Sequence, residues 1–476
     1  MQTRTFALSA ISALALSACA TAPDPIASSL PAEAMSAPFL SAEPGIVSPS
    51  PLPEDWWRLY SDPVLDELVA DALLANTDIR QATARIERAR AFLRGARAER
   101  LPQSGIAAST GYARLPEGEA AAAGDRSGAA FSLGVDLSYE VDLFDRIGKG
   151  IDAAREDVSA AQADADAVRV MVVADTTRAY ADAASAAARI AVAQAIVGLL
   201  DDTLRLTRRR HDAGLTDGLA VARIEALREQ RAATIPAIAA ERNAALFALA
   251  TMTGRPPGDL PEISGERSIP LEIRAPLPVG DGAELIARRP DVRAAEKRLL
   301  GDLARIGVAR ADLYPRITLG GSVQSSATGL GNLFSGGPLS LFLGPLIDWA
   351  FPNREPIRAR IDAAEADADA SLAAFDGSVL SALQEAETAL SDYARVLDQR
   401  RRLTAAEQAA QRAARITRAQ NREGLIDSLQ TLEAERTLAE TQAALADLDG
   451  LVSRRQIAVF RALGGGWSHA PGGPVR

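Results

Sequence analysis

HDAGLTDGLAVARIEA (residues 211–226) and NREGLIDSLQTLEAER (residues 421–436) are one pattern written twice. Gly214, Leu215, Asp217 and Leu219 recur as Gly424, Leu425, Asp427 and Leu429, each 210 positions later. In both copies a glycine closes a long helical period, a short polar turn follows, and an aspartate precedes a new helical period. Glycine supplies the left-handed residue that ends a helix, and aspartate caps the start of the next one. Each stretch therefore reads as the tip of a helical hairpin, and the chain holds two such tips.

The repetition extends outward from the tips. NTDIRQATARIERARA (76–91) answers RPDVRAAEKRLLGDLA (289–304), with Asp78 matching Asp291. ERLPQSGIAAS answers DLYPRITLGGS, with Pro102 matching Pro315, and IDAAREDVSAAQADADA answers IDAAEADADASLAAFD, with Asp152 matching Asp362. Internal repetition decides a fold before any single element does. Residues 63–253 form a first repeat, 254–280 a proline- and glycine-rich linker, 281–463 a second repeat, and 464–476 a tail.

Within each repeat the hydrophobic period switches from helical to two and back. Helical spacing runs from Pro63 to Arg100 and stops before Pro102. In AFSLGVDLSYE (130–140), Phe131, Leu133, Val135, Leu137 and Tyr139 alternate with small and polar residues, which is a strand with one apolar face. SGIAASTGYA (104–113) alternates more weakly. RITLGGSVQSS (316–326), with Ile317, Leu319 and Val323 on one face, and PLSLFLGPLI (338–347) are the counterparts. From Asp145 to Arg210 no proline occurs, so one helix of about 100 Å at 1.5 Å per residue is expected. The return helix from Leu219 to Met252 contains Pro236, where a kink is expected. A helix from Arg354 to Gln420, the second tip and a last helix to Leu463 complete the second copy.

Four strands of about ten residues suit an outer-membrane barrel in length but cannot close one, and open strand edges are not tolerated in lipid. Barrels begin at about eight strands. Oligomerisation follows by arithmetic: three chains would supply twelve strands. The expected fold is mostly α with a transmembrane β-barrel, a duplicated helix–β-hairpin–long helical hairpin unit. Three chains would close a 12-stranded barrel continued by a tube of helices.

The start of the chain bears on location. MQTRTFALSAISALALSAC has a positive start, a short apolar run and small residues before Cys19, the sole cysteine among 476 residues. Residues 1–18 read as a signal peptide, and Leu-Ser-Ala-Cys resembles the bacterial lipobox, which implies acylation of Cys19; the plainer reading is an ordinary cleaved signal with an incidental cysteine. Ala20 follows it, not the Asp that retains lipoproteins of this kind at the inner membrane, so the lipobox resemblance implies the outer membrane. Residues 19–62, with Pro23, Pro25, Pro31, Pro38, Pro44, Pro49, Pro51 and Pro53, read as a lipidated extended tether.

Composition narrows the function class. Lys+Arg 52 against Asp+Glu 62 leaves a net charge of −10, and no basic face appears, which argues against nucleic acid. His211 and His469 are the only histidines, and neither has metal-ligand spacing to a partner. GLGNLFSGG (329–337) breaks the dinucleotide pattern, and no G-x-S-x-G elbow occurs, so no enzyme and no cofactor is expected. A static coiled-coil envelope lipoprotein would explain the helices but leave the amphipathic strands without a purpose.

The sequence resembles the TolC-type outer membrane efflux proteins, in their lipoprotein branch represented by OprM and NodT. The residues that carry the likeness are Cys19, DWWRLYSDPVLDELVADALLANTDI (55–79), YEVDLFDRIG (139–148), YPRITLGGS (314–322), GPLIDW (344–349), GLIDSLQTLEAER (424–436) and ALGGGW (462–467). Their order spans nearly the whole chain. The resemblance implies a homotrimeric exit duct, a barrel in outer membrane lipid continued by a periplasmic α-helical barrel. It further implies partnership with a periplasmic adaptor and an inner-membrane RND-type pump, exporting drugs or toxic small molecules. The outlet of a type I protein secretion system is the alternative within the duct class. It also implies that adaptor hairpins meet the tips at Gly214, Leu215, Asp217, Leu219, Gly424, Leu425 and Asp427.

The same resemblance places a periplasmic gate at Leu429, Glu433 and Arg436, which share one helical face at i, i+4 and i+7. The first repeat carries Leu219, Arg223 and Ala226 there, a divergence that suits a gate in which Glu433 pairs with arginines of a neighbouring helix. The plainer reading is a solvated Glu433–Arg436 pair. Two departures stand out: Glu433 replaces the aspartate of many relatives, and DWAFPNREP replaces a glycine-rich turn.

Overall fold

The structure, a computed structural model, describes residues 37–114, 127–327, 329–334, 339–426 and 428–466. Cys19, Asp427 and the tail from Trp467 lie outside the described residues. In chain order the elements are β1 (Val47–Ser48), α1 (Pro63–Ala75), α2 (Thr77–Ala98), β2 (Gln103–Arg114), β3 (Ser127–Val141), α3 (Arg146–Asp212), α4 (Gly218–Ala232) and α5 (Thr234–Met252). The second copy follows as β4 (Leu277–Pro278), α6 (Gly282–Arg288), α7 (Pro290–Ala311), β5 (Arg316–Ala327), β6 (Leu339–Asp348), α8 (Glu355–Arg422) and α9 (Ser428–Ala462).

The chain divides into two compact units. One comprises residues 85–161 and 294–376, and holds a four-stranded antiparallel sheet in the order β2-β3-β5-β6. Its register pairs Ile106 with Val135, Val135 with Val323, and Val323 with Leu341. The helical ends in this unit pack Leu93 against Ile147, Ile151 and Val158. Arg305 reaches Asp157 at 2.6 Å, tying a helix of the second repeat to one of the first, and Arg310 reaches Glu365 at 2.7 Å between two helices of the second repeat.

The second unit comprises the described parts of residues 37–84, 162–293 and 377–466. Its core gathers Trp56, Leu65, Val173, Tyr180, Leu249, Leu271, Leu277, Leu390 and Phe460. The Trp56 and Phe460 rings stack at 4.6 Å, and a side chain at Gly465 would collide with Trp56 at 2.7 Å. The proline-rich segment is extended yet docked: Phe39 and Leu52 are buried, and the Leu40 and Ser41 amides donate to Glu387. β1 pairs in parallel with β4. The Gln456 side chain prolongs that linker edge, donating to the Ile273 carbonyl and accepting from its amide.

Two helices break where one continuous period was expected. Asn76 separates α1 from α2: it ends one helix, and its Oδ1 caps the next through the Asp78 and Ile79 amides. The expected kink at Pro236 is a break three residues earlier, at Ala233. Proline has no N–H to meet the carbonyl four residues back, Ala232, so α4 ends there and Pro236 falls in the first turn of α5.

The duplication survives in detail. Asn76 Nδ2 donates to the Met252 carbonyl at 3.0 Å, and Arg289 Nη1 donates to the Ala462 carbonyl at 3.0 Å. Both contacts tie the start of a repeat to the end of the helix that finishes it. The first uses an amide, the second a guanidinium that also grips Asp291 and Glu385.

Candidate functional site

The tips are built as the glycines require. Gly214 (φ 70°) and Gly424 (φ 72°) are left-handed, and each is followed by the bond pair of a helix-ending turn. Leu215 N donates to Arg210 O and Gly214 N to His211 O; Leu425 N donates to Gln420 O and Gly424 N to Asn421 O. Asp217 caps α4 through the Ala220 amide at 3.0 Å. Leu215, Leu219, Leu425 and Leu429 are exposed at 70%, 54%, 73% and 44%, an apolar set left uncovered by the described residues.

Side chains the sequence reading passed over fasten these tips. Arg208 bonds Glu225 at 3.1 Å, and 210 residues later Arg418 bonds Glu435 through Nε and Nη2. Both partners are identical in the two copies, so carrying the repeat comparison further along the helices finds them. The environments differ: Glu435 has 1% of its side chain exposed, Glu225 has 50%. The Glu435 bonds, ahead of burial, hold the Arg418 guanidinium above its ordinary basicity. At the next matched position the chemistry diverges. His211 Nδ1 lies 3.0 Å from the Thr216 carbonyl, so Nδ1 carries the proton, while Asn421 Nδ2 donates to the Ile426 carbonyl at 3.3 Å. Arg210 Nη1 then joins the two tips by donating to Asn421 Oδ1 at 2.8 Å.

Leu429, Glu433 and Arg436 are all exposed on one face of α9. Neither expected pairing of Glu433 forms in the chain. Arg436 Nε donates to Glu440, one turn further on, at 3.0 Å, and Arg231 of α4 reaches the same carboxylate at 3.2 Å. Among the described residues Glu433 has no side-chain hydrogen bond or ion pair of its own; its charge acts on Arg436 at longer range, behind that of Glu440. Arg223 is exposed on α4. Glu440 and Arg231 thus join the set, and an i, i+4 count from Arg436 finds the first of them.

The sheet sorts its side chains by face, because directly paired residues in an antiparallel sheet point the same way. Phe131, Leu133, Val135, Leu137, Ile317, Leu319 and Val323 all fall on one face. The register adds Ile106 and Tyr112 from β2, and Leu339, Leu341, Leu343 and Ile347 from β6. The opposite face is small and polar over β2, β3 and β5, with Gly105, Ser109, Ser132, Gly134, Asp136, Ser138, Thr318, Gly320, Ser322 and Gln324, and carries Phe342 and Leu346 from β6. β2 and β6 are the outer strands of the sheet. Among the described residues no group of three or more His, Cys, Asp or Glu could hold a metal ion.

The family model for outer membrane efflux proteins matches residues 68–255 and 283–465, one segment on each repeat. The chain is 33% identical over 421 residues to the outer membrane protein OprJ of Pseudomonas aeruginosa, covering 87% of this chain and 86% of OprJ. It is 29% identical to the toluene efflux pump outer membrane protein TtgF of Pseudomonas putida, covering 99% of both. The solved structure of the outer-membrane channel OprN superposes with a TM-score of 0.82 at 33% identity, covering 94% of this chain and 98% of OprN. The duplicated hairpins, the two-faced sheet and these likenesses agree: the chain belongs to the outer membrane efflux protein family and is a TolC-type efflux channel of the outer membrane.

Proposed function

We propose that the protein works as a homotrimer, the exit duct of a tripartite pump that carries small toxic molecules across the periplasm and outer membrane. The observation that carries this reading is the four-stranded sheet, mainly apolar on one face and mainly small and polar on the other, with β2 and β6 as its outer strands. Unpaired backbone groups cost several kcal/mol each in hydrocarbon, so β6 of one copy must meet β2 of the next until the barrel closes. Three copies give twelve strands, apolar side to lipid and polar side to the lumen. The exposed leucines at the tips are the contact for the hairpins of a periplasmic adaptor, which joins the duct to an RND-type pump. The names of the toluene efflux pump protein TtgF and the antibiotic efflux pump protein ArpC support hydrophobic solutes and drugs as cargo.

Cys19 is the acylation site in this reading, giving a lipid anchor beside the barrel. A single chain anchors only marginally, so the barrel holds most of the membrane affinity. Expression with its adaptor and pump in a host stripped of its own TolC-type channels tests the function. Restored toluene tolerance and a cross-linked trimer are expected; a monomer in the outer membrane fraction, or no rescue at normal trimer levels, overturns it. Cys19→Ser should lose labelling by a palmitate analogue while the protein still crosses the inner membrane.

A further inference from the structure

The polar face of the sheet carries its charges unevenly. Glu140, Arg316 and Asp348 sit at the helix-side end of the strands, where Arg146 bonds Glu140 at 2.8 Å and Arg316 stands opposite Asp348 in register. In the middle of that face, among the described strand residues, Asp136 is the one charged side chain. Its neighbours across the sheet are Gly105 and Ser322, and along β3 they are Gly134 and Ser138. None of these is long enough to screen it. Asp136 is exposed and has no hydrogen bond or ion pair among the described residues.

The same row ends on an aromatic ring. Asp136 pairs with Ser322, and Ser322 pairs with Phe342, so all three point to one side. Two strand spacings separate Asp136 from Phe342, about 10 Å. Phe342 leans over a glycine pair: side chains built at Gly320 and Gly344 would lie 3.7 and 3.5 Å from its ring. Leu346, four residues beyond Phe342, fills the rest of that hollow, 2.8 Å from a side chain built at Gly320. The glycines thus make room for two large apolar side chains on a face that is otherwise small and polar. Phe342 remains 46% exposed.

We propose that Asp136 and Phe342 form a contact row in the barrel lumen that favours organic cations with an apolar body. The carboxylate draws the positive charge, and the ring and Leu346 take the apolar part, with the ring face adding attraction for the cation. Three copies would repeat the row around the axis. This inference rests on the reading of the polar face as the lumen, and it names a solute class for that lumen.

The test uses purified full-length protein in planar bilayers under a KCl gradient at low salt, where charges within about 10 Å still act. Wild type should prefer K+, and Asp136→Asn should lower the K+/Cl− permeability ratio about twofold or more, whereas Asp348→Asn, facing Arg316, should change it little. Tetraphenylphosphonium should block the pore, and Asp136→Asn and Phe342→Leu should each weaken the block about two- to tenfold. An unchanged ratio in Asp136→Asn, an equal change in Asp348→Asn, or wild-type block in Phe342→Leu overturns the proposal. A wild type that inserts but never conducts would instead count against the pore. Tetraphenylphosphonium binding to the detergent-solubilised protein then decides the row: binding weakened about fivefold by both variants supports it, and binding equal to wild type overturns it.

Discussion

Arg418 holds Glu435 in a two-pronged grip beneath the second tip, and Arg208 holds Glu225 with one nitrogen beneath the first. The residues are the same and the burial is not. Removing the arginine from a buried pair strands a carboxylate, at a cost of about 3 kcal/mol or more. The exposed pair is worth under about 1 kcal/mol. Arg418→Ala should therefore lower hydrogen-exchange protection around the tip of α8 and α9 about a hundredfold, while Arg208→Ala lowers it around α3 and α4 by less than about tenfold. Equal losses at the two tips would show that burial does not set their strength.

A pH effect follows from the junction at Arg289. Burial alone would raise the Asp291 carboxyl, but the bonds and charge of Arg289 outweigh it and hold the carboxyl below its ordinary range. A group depressed in the folded state stabilises it above its unfolded pKa and loses that contribution as pH falls through the folded value. The start of the second repeat should keep constant stability above about pH 5 and weaken below about pH 4. Thermal unfolding of Asp291→Asn should be lower at neutral pH and flatter across that acid range. A variant that melts in parallel with wild type at every pH would dismiss the linkage.

These details mark where the sequence could be read and where it could not. The tips were legible because a left-handed glycine and an aspartate cap each act through local backbone chemistry, and the chain states them twice. The apolar set from Phe131 to Val323 was legible because strict alternation has one outcome. β6 was not: in LSLFLGPLID the apolar residues run on, and only the register puts Phe342 and Leu346 on the polar face. The break at Asn76 was missed although Asn-Thr-Asp is a capping signal, because the apolar period continues through it. Docking of residues 37–62 was hidden for another reason. Prolines announce an extended chain and say nothing of what it lies against, here Glu387 and the Phe460 core.

The lipid face offers the plainest test of the barrel. Val135 is paired with Ile106 on one side and Val323 on the other, in the middle of the apolar face. A lysine there would sit near mid-bilayer, at a cost of about 2 to 4 kcal/mol on barrel scales. Val135→Lys should fail to assemble in the outer membrane, while Asp136→Lys, one residue on and facing the other way, should still assemble. Normal trimer yield from Val135→Lys would mean that this face does not meet lipid.

Leu429, Glu433 and Arg436 are exposed along one stripe of α9, and Arg436 is held by Glu440 rather than by Glu433. Glu433 is thereby left without a partner of its own among the described residues, while Arg231 of α4 shares Glu440 with Arg436. A carboxylate so placed is free to meet an arginine of a neighbouring copy, and Arg223, exposed on α4 with no hydrogen bond or ion pair among the described residues, supplies one of the right charge. In the proposed trimer this stripe narrows the duct, so replacing Glu433 and Arg436 together by Ala should raise single-channel conductance about twofold or more. Cells with a permissive inner path should then admit vancomycin. Glu440→Gln should reproduce part of the effect by releasing Arg436. Conductance equal to wild type in the double variant would make this stripe a solvated helix face and move the gate elsewhere.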